Sequence, residues 1–380
     1  MRKGKRGSGE GNIRERSDGR WEARISVRSE DGRLRRRSLY GASRGEVQQL
    51  LVKALRDQQQ GFSLAAHRLT VAAFLHEWLE TTAKPSIKPR SHERFEQIIR
   101  LHIIPTLGSL RLEKLGHQHV QRLLNAKSEE GLAPQTVVHV RNVLRLALNH
   151  ALKWNLVSRN VALHLDPPRI VRHEIKVLWP DDARRLLEAV KGARLEALYS
   201  VALALGLRRG EALGLKWVDL DLDAGRLTVL RSLQRVAGKL QLVETKTNSG
   251  RRTITLPQIA LRALREHRRR QSQERLIAGS EWNDGGLVFT GYRGTPLEPM
   301  TLRRDFCRVL AKAGLPAMRL HDLRHSAASL MLTLGVPLKT IQEVLGHSSI
   351  GVTAGFYAHL GEQLKQQAAD AMDAALDARK

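Results

Sequence analysis

Between Trp21 and Arg28 apolar and polar residues alternate, Trp21, Ala23, Ile25 and Val27 against Glu22, Arg24, Ser26 and Arg28. That two-residue period belongs to a strand with one buried face. Asp31-Gly32 is a turn signal, and Leu34–Tyr40 reads as the returning strand. Gly19 points to an earlier strand around residues 11–16, after a basic tail of about ten residues. From about Arg44 to Gln60 the period lengthens, with Val47, Leu50, Leu51, Ala54 and Leu55 on one helical face. Residues 11–61 therefore read as a small three-stranded β-sheet plus a helix.

After a linker over residues 62–69, the pattern is helical from Thr70 to about Pro168. Thr70 caps the run Val71–Leu79. Lys84-Pro85 and Lys88-Pro89 read as a break, and Pro105 and Gly108 as the end of a helix from Ser91 to His102. Further helices cover about 116–127 and 133–153, the last with Arg141, Arg145 and Lys153 along one side. Pro167-Pro168 opens a second linker, and residues 173–360 form the largest unit. Helices are expected from Asp181 and from Arg194 to Leu207. Strands are expected at Arg226–Leu230, Leu240–Glu244 and Arg251–Leu256, the last stopped by Pro257. A helix from about Gln258 to Ala278 carries six arginines and a histidine, and Leu287–Phe289 is a short buried piece. Helices then dominate, ending in an amphipathic stretch from Leu364 to Leu376. The fold class is multidomain: a sheet-plus-helix N-terminal domain, an all-α middle, and a mainly α unit with a small β-sheet (α+β).

Composition adds a partner to this outline. The chain has 380 residues, 42% of them apolar, enough for two to four cores; its formal charge is +26. Such an excess points to a polyanion, with nucleic acid leading and a merely basic surface as the bland reading. Residues 1–61 hold 16 Lys/Arg against 8 Asp/Glu. A sheet with Arg at alternate positions can lie in a DNA groove, because alternate side chains share a face. The single cysteine, Cys307, excludes a disulfide framework and a Cys-based zinc site, and fits a reducing cytoplasm. The basic N-terminus lacks the apolar run of a signal peptide. No stretch approaches the ~18 apolar residues that span a bilayer.

Several short elements carry candidate chemistry. In Gly206-Leu207-Arg208-Arg209-Gly210-Glu211, Arg208 falls at a helix junction, and Glu211 is placed to hold its guanidinium. Lys246, in Thr245–Arg251 between two expected strands, reads as a hairpin-tip lysine able to give a proton to a leaving alkoxide. His321, Arg324 and His325 occupy i, i+3 and i+4, one helical face, where Arg324 can grip phosphate oxygens and His321 can move a proton. A two-His zinc face would need a Glu beside the first His, and Asp322 is a poor substitute. Leu345-Gly346-His347 places an imidazole just after a helix end capped by Gly346. Ten residues on stands Tyr357, one of four tyrosines, behind Gly351 and Gly355, which weaken any helix there. Taken singly, these residues fit a surface arginine, a solvated lysine, a buried helix histidine and a structural tyrosine. The ordered set does not.

That set resembles the tyrosine recombinases of the phage integrase family, matching Arg208 with Glu211, Lys246, His321-x-x-Arg324-His325, Leu345-Gly346-His347 and Tyr357 in order and spacing. The resemblance implies domains at 1–61 (arm-type DNA-binding), 70–168 (helical, SAM-like core-binding) and 173–362 (catalytic), with a C-terminal helix or tail over 363–380. Also implied is cutting and rejoining of DNA through a 3′-phosphotyrosine on Tyr357. Arg208, Arg324 and His347 would act on the phosphate, Lys246 as general acid and His321 as acid–base partner of the tyrosine. Neither metal nor other cofactor is implied. The expected partners are double-stranded DNA at core and arm sites, a homotetramer on that DNA, and DNA-bending or directionality proteins, in the cytoplasm at the nucleoid and at no membrane. A type IB-like topoisomerase and a catalytically inactive DNA-binding regulator are the alternatives.

Overall fold

The computed structural model describes residues 12–28, 34–59, 69–170, 176–245, 250–347 and 349, with 369, 370, 372, 373 and 376. The N-terminal tail, the Asp31-Gly32 turn, Lys246, Tyr357 with its two glycines, and most of the amphipathic C-terminal stretch lie outside these residues. The chain divides into two compact units, Met1–Arg172 and His173–Lys380.

In the first unit, strands β1 (Asn12–Glu15), β2 (Trp21–Arg28) and β3 (Leu34–Gly41) pair antiparallel in the order β1-β2-β3. The alternation buries Ala23 and Ile25 against Val47, Leu51 and Ala54 of α1 (Arg44–Gln59). One position on the opposite face departs from the pattern. Glu22 is 1% exposed, because its carboxylate accepts from Ser38 Oγ (2.6 Å), Arg14 Nε (2.7 Å) and Arg24 Nε (3.0 Å). The Ser38 hydroxyl and then Arg24 hold that carboxyl at about 2.

Helix α2 (Val71–Trp78) begins as expected, with Thr70 Oγ1 accepting from Ala73 N at 3.2 Å. Two expected interruptions need correction. A π turn, Leu79–Ala83, runs on from α2 into α3 (Lys84–Ser86), so Pro85 lies inside a continuous helical run. Likewise α4 (Pro89–Ile98) passes through a π turn, Ile99–Ile103, into α5 (Ile104–Leu107), which contains Pro105; only Gly108 ends it. In both runs the wide turn immediately precedes the proline. Lys84 N bonds Leu79 O and Ile104 N bonds Ile99 O, five residues back, which makes room for a ring that can neither donate nor fit an ordinary α-turn. The true break comes at Ile87, just before Lys88-Pro89. Helices α6 (His117–Glu129) and α7 (Pro134–Lys153) complete an all-α core built on Phe74, Trp78, Ile99, Leu123 and Leu144.

The second unit is organised on α9. After α8 (Pro180–Val190), helix α9 (Glu196–Leu205) buries eight of its ten residues, so it must be covered on nearly every side. Helices α11 (Gln258–Ala278) and α13 (Asp322–Thr333) pack on it. Between them come the short α10 (Arg209–Leu213) and two small sheets. One sheet has β5 (Arg226–Val229) flanked by β4 (Leu220–Asp221) and β8 (Arg252–Thr255); the other pairs β6 (Arg231–Val236) with β7 (Lys239–Glu244). This overturns the hairpin expected around Lys246. Strands β7 and β8 do not pair; they belong to different sheets. The expectation missed β6, whose Arg-Ser-Leu-Gln-Arg-Val sequence has no clean apolar row; β6 gains its strand form by pairing with β7 and lying on α10. Helices α12 (Pro299–Lys312) and α14 (Leu338–Leu345) complete the unit, with Leu287–Phe289 buried as expected.

Candidate active site

Helix α9 ends at Gly206, which adopts the left-handed conformation with φ 62°. The chain turns through Leu207 to Arg208, the N-cap residue of α10. Glu211 sits three residues on and reaches back: its carboxylate accepts from Arg208 Nη1 at 2.6 Å and from the Arg208 backbone N–H at 3.1 Å. The expectation that Glu211 holds Arg208 is met. Gly210 and Gly214 have a packing role, since a Cβ on either would fall within 3 Å of Ser232 Oγ or Leu233 N. Two small residues thus let β6 lie directly on the helix that carries Arg208.

Arg324 lies in the first turn of α13 and is 2% exposed. Its Nη1 donates to Gly206 O at 2.8 Å, while its Nη2 is buried with no hydrogen-bond partner. His321 is the N-cap residue of α13 rather than a residue on its helical face. Its ring still meets that of His325 edge-on, with centroids 5.0 Å apart. Asp322 fixes this helix start by accepting from Arg319 N at 2.8 Å and Arg319 Nη2 at 2.9 Å. His347 follows Gly346, a left-handed cap with φ 66°. Gln342 closes the turn, its carbonyl accepting from His347 N and its side-chain amide donating to His347 O, both at 3.1 Å. Arg208 Nη2 donates to Gly346 O at 3.0 Å. Four of the seven candidate residues, Arg208, Glu211, Arg324 and His347, are therefore drawn together through Gly206 and Gly346, with His321 at the cap beside them.

The electrostatics share one sign. Burial and then the nearby Arg208 draw the Arg324 guanidinium down to about 9, so it stays charged at neutral pH. Burial, reinforced by Arg324 and Arg208, pushes His347 down to about 4. His325 falls to about 4 through burial and its neighbour His321. His321 is lowered too, by desolvation first and Arg324 second, although the residue as a whole is exposed. Burial works to raise the Glu211 carboxyl, but Arg252 and then Arg208 hold it below the usual range. One saturated carboxylate thus stands among three guanidiniums and neutral imidazoles, with a buried donor left over. Phosphate oxygens suit such a site.

Arg252 was not among the sequence candidates. Its signal was there: it shares the inward face of β8 with Ile254, a row that Leu256 continues just past the strand, and a cation there needs a carboxylate. Lys246 and Tyr357 lie outside the described residues. Thr245 and Gly250, which flank the Lys246 segment, lie against one another: a Cβ on Gly250 would be 2.9 Å from Thr245 Cβ.

Residues 176–363 match the family model described as the phage integrase family, and residues 70–128 match the phage integrase N-terminal SAM-like domain. The chain is 30% identical over 365 residues to a protein named tyrosine recombinase XerC-like from Caldanaerobacter subterraneus subsp. tengcongensis, covering 91% of this chain and 93% of that one. An integrase of Streptomyces ambofaciens is 32% identical over 346 residues, covering 88% and 87%. Among solved structures, the Tn1549 transposon integrase in complex with a circular intermediate DNA superposes with a TM-score of 0.67 at 22% identity, covering 80% of this chain and 99% of that one. A lambda integrase dimer bound to a core site gives 0.53 at 19%, covering 93% and 96%; at these identities the likeness is one of fold. The protein is thus one of the enzymes that cleave and rejoin DNA. The chain belongs to the tyrosine recombinase family, the phage integrases. The multidomain fold class expected from the sequence is the one observed.

Proposed function

We propose that this chain is a site-specific recombinase that integrates or excises a mobile element through a 3′-phosphotyrosine intermediate. The observation that carries the reading is the buried, partnerless Nη2 of Arg324 beside Arg208 and His347. A donor left unsatisfied in a closed site is costly unless an anion arrives to accept from it. Arg208, Arg324 and His347 bind the non-bridging oxygens of the scissile phosphate and stabilise the charge that builds there. The Tyr357 oxygen attacks phosphorus, and its proton passes to the neutral His321 imidazole. The bond from phosphorus to the 5′-oxygen breaks, and Lys246 protonates the leaving oxygen. Rejoining is the reverse, with a 5′-hydroxyl of the partner strand displacing Tyr357. One phosphodiester is exchanged for another, so the cycle needs no energy from ATP, and the arginines take the charge-stabilising role that a metal plays elsewhere.

Residues 1–61 are assigned to arm-site binding, 70–168 to the core site, 173–362 to catalysis and 363–380 to a C-terminal tail. The working assembly is a homotetramer on double-stranded DNA, consistent with the lambda integrase tetramer bound to a Holliday junction, a chain of the same fold. DNA-bending or directionality proteins are its accessory partners, and the nucleoid is its place of action. Tyr357→Phe should abolish covalent attachment to a nicked suicide duplex while DNA binding persists, as read on denaturing and native gels. Cleavage retained in that variant would sink the assignment. Strand exchange between two such duplexes then separates a recombinase from a topoisomerase.

A further inference from the structure

Arg252 stands at the first position of β8 with a side chain only 8% exposed. All three of its guanidinium nitrogens are engaged within the protein. Nε donates to Val344 O at 2.6 Å, Nη1 to Gly250 O at 3.2 Å and Nη2 to Glu211 Oε2 at 2.9 Å. Glu211 uses its other oxygen on Arg208 Nη1, and Arg208 Nη2 donates to Gly346 O. Val344 and Gly346 are two residues apart at the C-terminal end of α14. The bonds therefore close a ring: Arg208 to Glu211, Glu211 to Arg252, Arg252 to Val344, and Gly346 back to Arg208. Two guanidiniums share one buried carboxylate and grip the same helix end, immediately ahead of His347.

We propose that Arg252 is a positioning residue for the strand-cleavage reaction. It acts through Glu211 and the carbonyls of α14 to fix Arg208 and His347 relative to one another, and it does not touch the phosphate itself. This rests on the phosphate-binding role given above to Arg208. Arg324 is the contrasting case, with a buried nitrogen unspent. The planar fork of Arg252 serves three acceptors in three directions, a task a lysine's single ammonium does not reproduce. Glu211 sits between the two cations, and the nearby Arg324 is the further charge it faces. Removing Arg252 leaves that carboxylate shared with Arg208 alone and the end of α14 held by one guanidinium instead of two.

A double-mutant cycle tests this on the full chain. The probe is a nicked suicide duplex whose sequence is first selected from a random pool by binding to the wild-type protein. Glu211→Gln and Arg252→Gln should each slow covalent attachment at saturating DNA by about 10²-fold, the scale of a lost charge-stabilising donor, with DNA affinity changed by less than about threefold. The double variant should be no slower than Glu211→Gln, because residues acting through one another are not additive. Arg252→Lys should recover only part of the rate. Multiplying effects, or an affinity that falls in step with the rate, would show Arg252 acting directly on DNA and overturn the proposal. A wild-type rate in Arg252→Gln would also overturn it. Should Arg252→Gln fail to fold, the double variant removes both buried charges together, and the comparison with Glu211→Gln alone decides. Arg208→Ala is the separate control: if it cleaves at the wild-type rate, the phosphate-site reading fails, whatever Arg252 does.

Discussion

At the scale of the residue, the site works by keeping imidazoles neutral beside guanidiniums that remain charged. His347 and His325 both titrate near 4 in the folded protein, well below the ordinary value of 6.5. As pH falls through 6.5 the unfolded chain takes up these protons while the folded chain refuses them until about 4. Their contribution to stability is therefore complete above pH 6.5 and is lost progressively toward pH 4. Thermal midpoints should drop between pH 7 and pH 5, and His347→Gln should flatten part of that drop; an unchanged pH dependence in the variant counts against His347 as a source. Arg324→Ala removes the guanidinium whose Nη2 is buried without a partner, the donor proposed above for the phosphate. It should slow covalent attachment to a suicide duplex by about 10²–10³-fold. Motif spacing exposed these residues in advance, because each is a polar type at a helix junction or end. Arg252 alternates with Ile254 and Leu256, but alternation alone does not name the carboxylate that an inward arginine pairs with.

At the scale of the element, helix ends do most of the positioning. Gly206 ends α9, offers its carbonyl to Arg324 and leads directly to Arg208. It is left-handed, and an added Cβ would lie 2.4 Å from Leu345 Cδ2. Gly192 is also left-handed, at φ 73°, but an added Cβ there meets nothing within 4 Å. Gly192→Ala should thus cost only the left-handed strain, roughly 1–2 kcal/mol. Gly206→Ala should cost more, because the buried Leu345 side chain must also move, and it should slow cleavage as well. Urea titration of both variants compares the two costs directly, and equal losses would mean that the Leu345 contact relaxes freely. The helical interruptions were misjudged for a related reason. A proline marks a lost hydrogen bond in the sequence, but whether the helix stops or opens into a π turn is settled by the core beneath it, here Trp78, Ile99 and Ile103.

At the scale of the whole molecule, a formal charge of +26 makes DNA affinity a question of salt. The logarithm of affinity should fall linearly with the logarithm of salt concentration, by roughly 0.9 for each phosphate contacted. Deleting residues 1–61, with their 16 Lys/Arg against 8 Asp/Glu, should flatten that slope. An unchanged slope in filter binding would place the phosphate contacts elsewhere in the chain. Among the described residues no helix is long and apolar enough to cross a membrane. The sequence by itself determined most of the order of elements, β6 excepted, the basic balance, and the identity of Arg208, Glu211, His321, Arg324 and His347 as candidates. Periodicity, cap residues and charge are local properties, legible one segment at a time. Only the tertiary structure decided that β8 pairs with β5 while β7 pairs with β6, and that Arg252 and Arg208 share Glu211. It also decided that α13 carries Arg324 against Gly206 at the end of α9, across more than a hundred residues of chain. Those facts depend on which buried charge finds which partner, and that choice is made by packing the whole core at once.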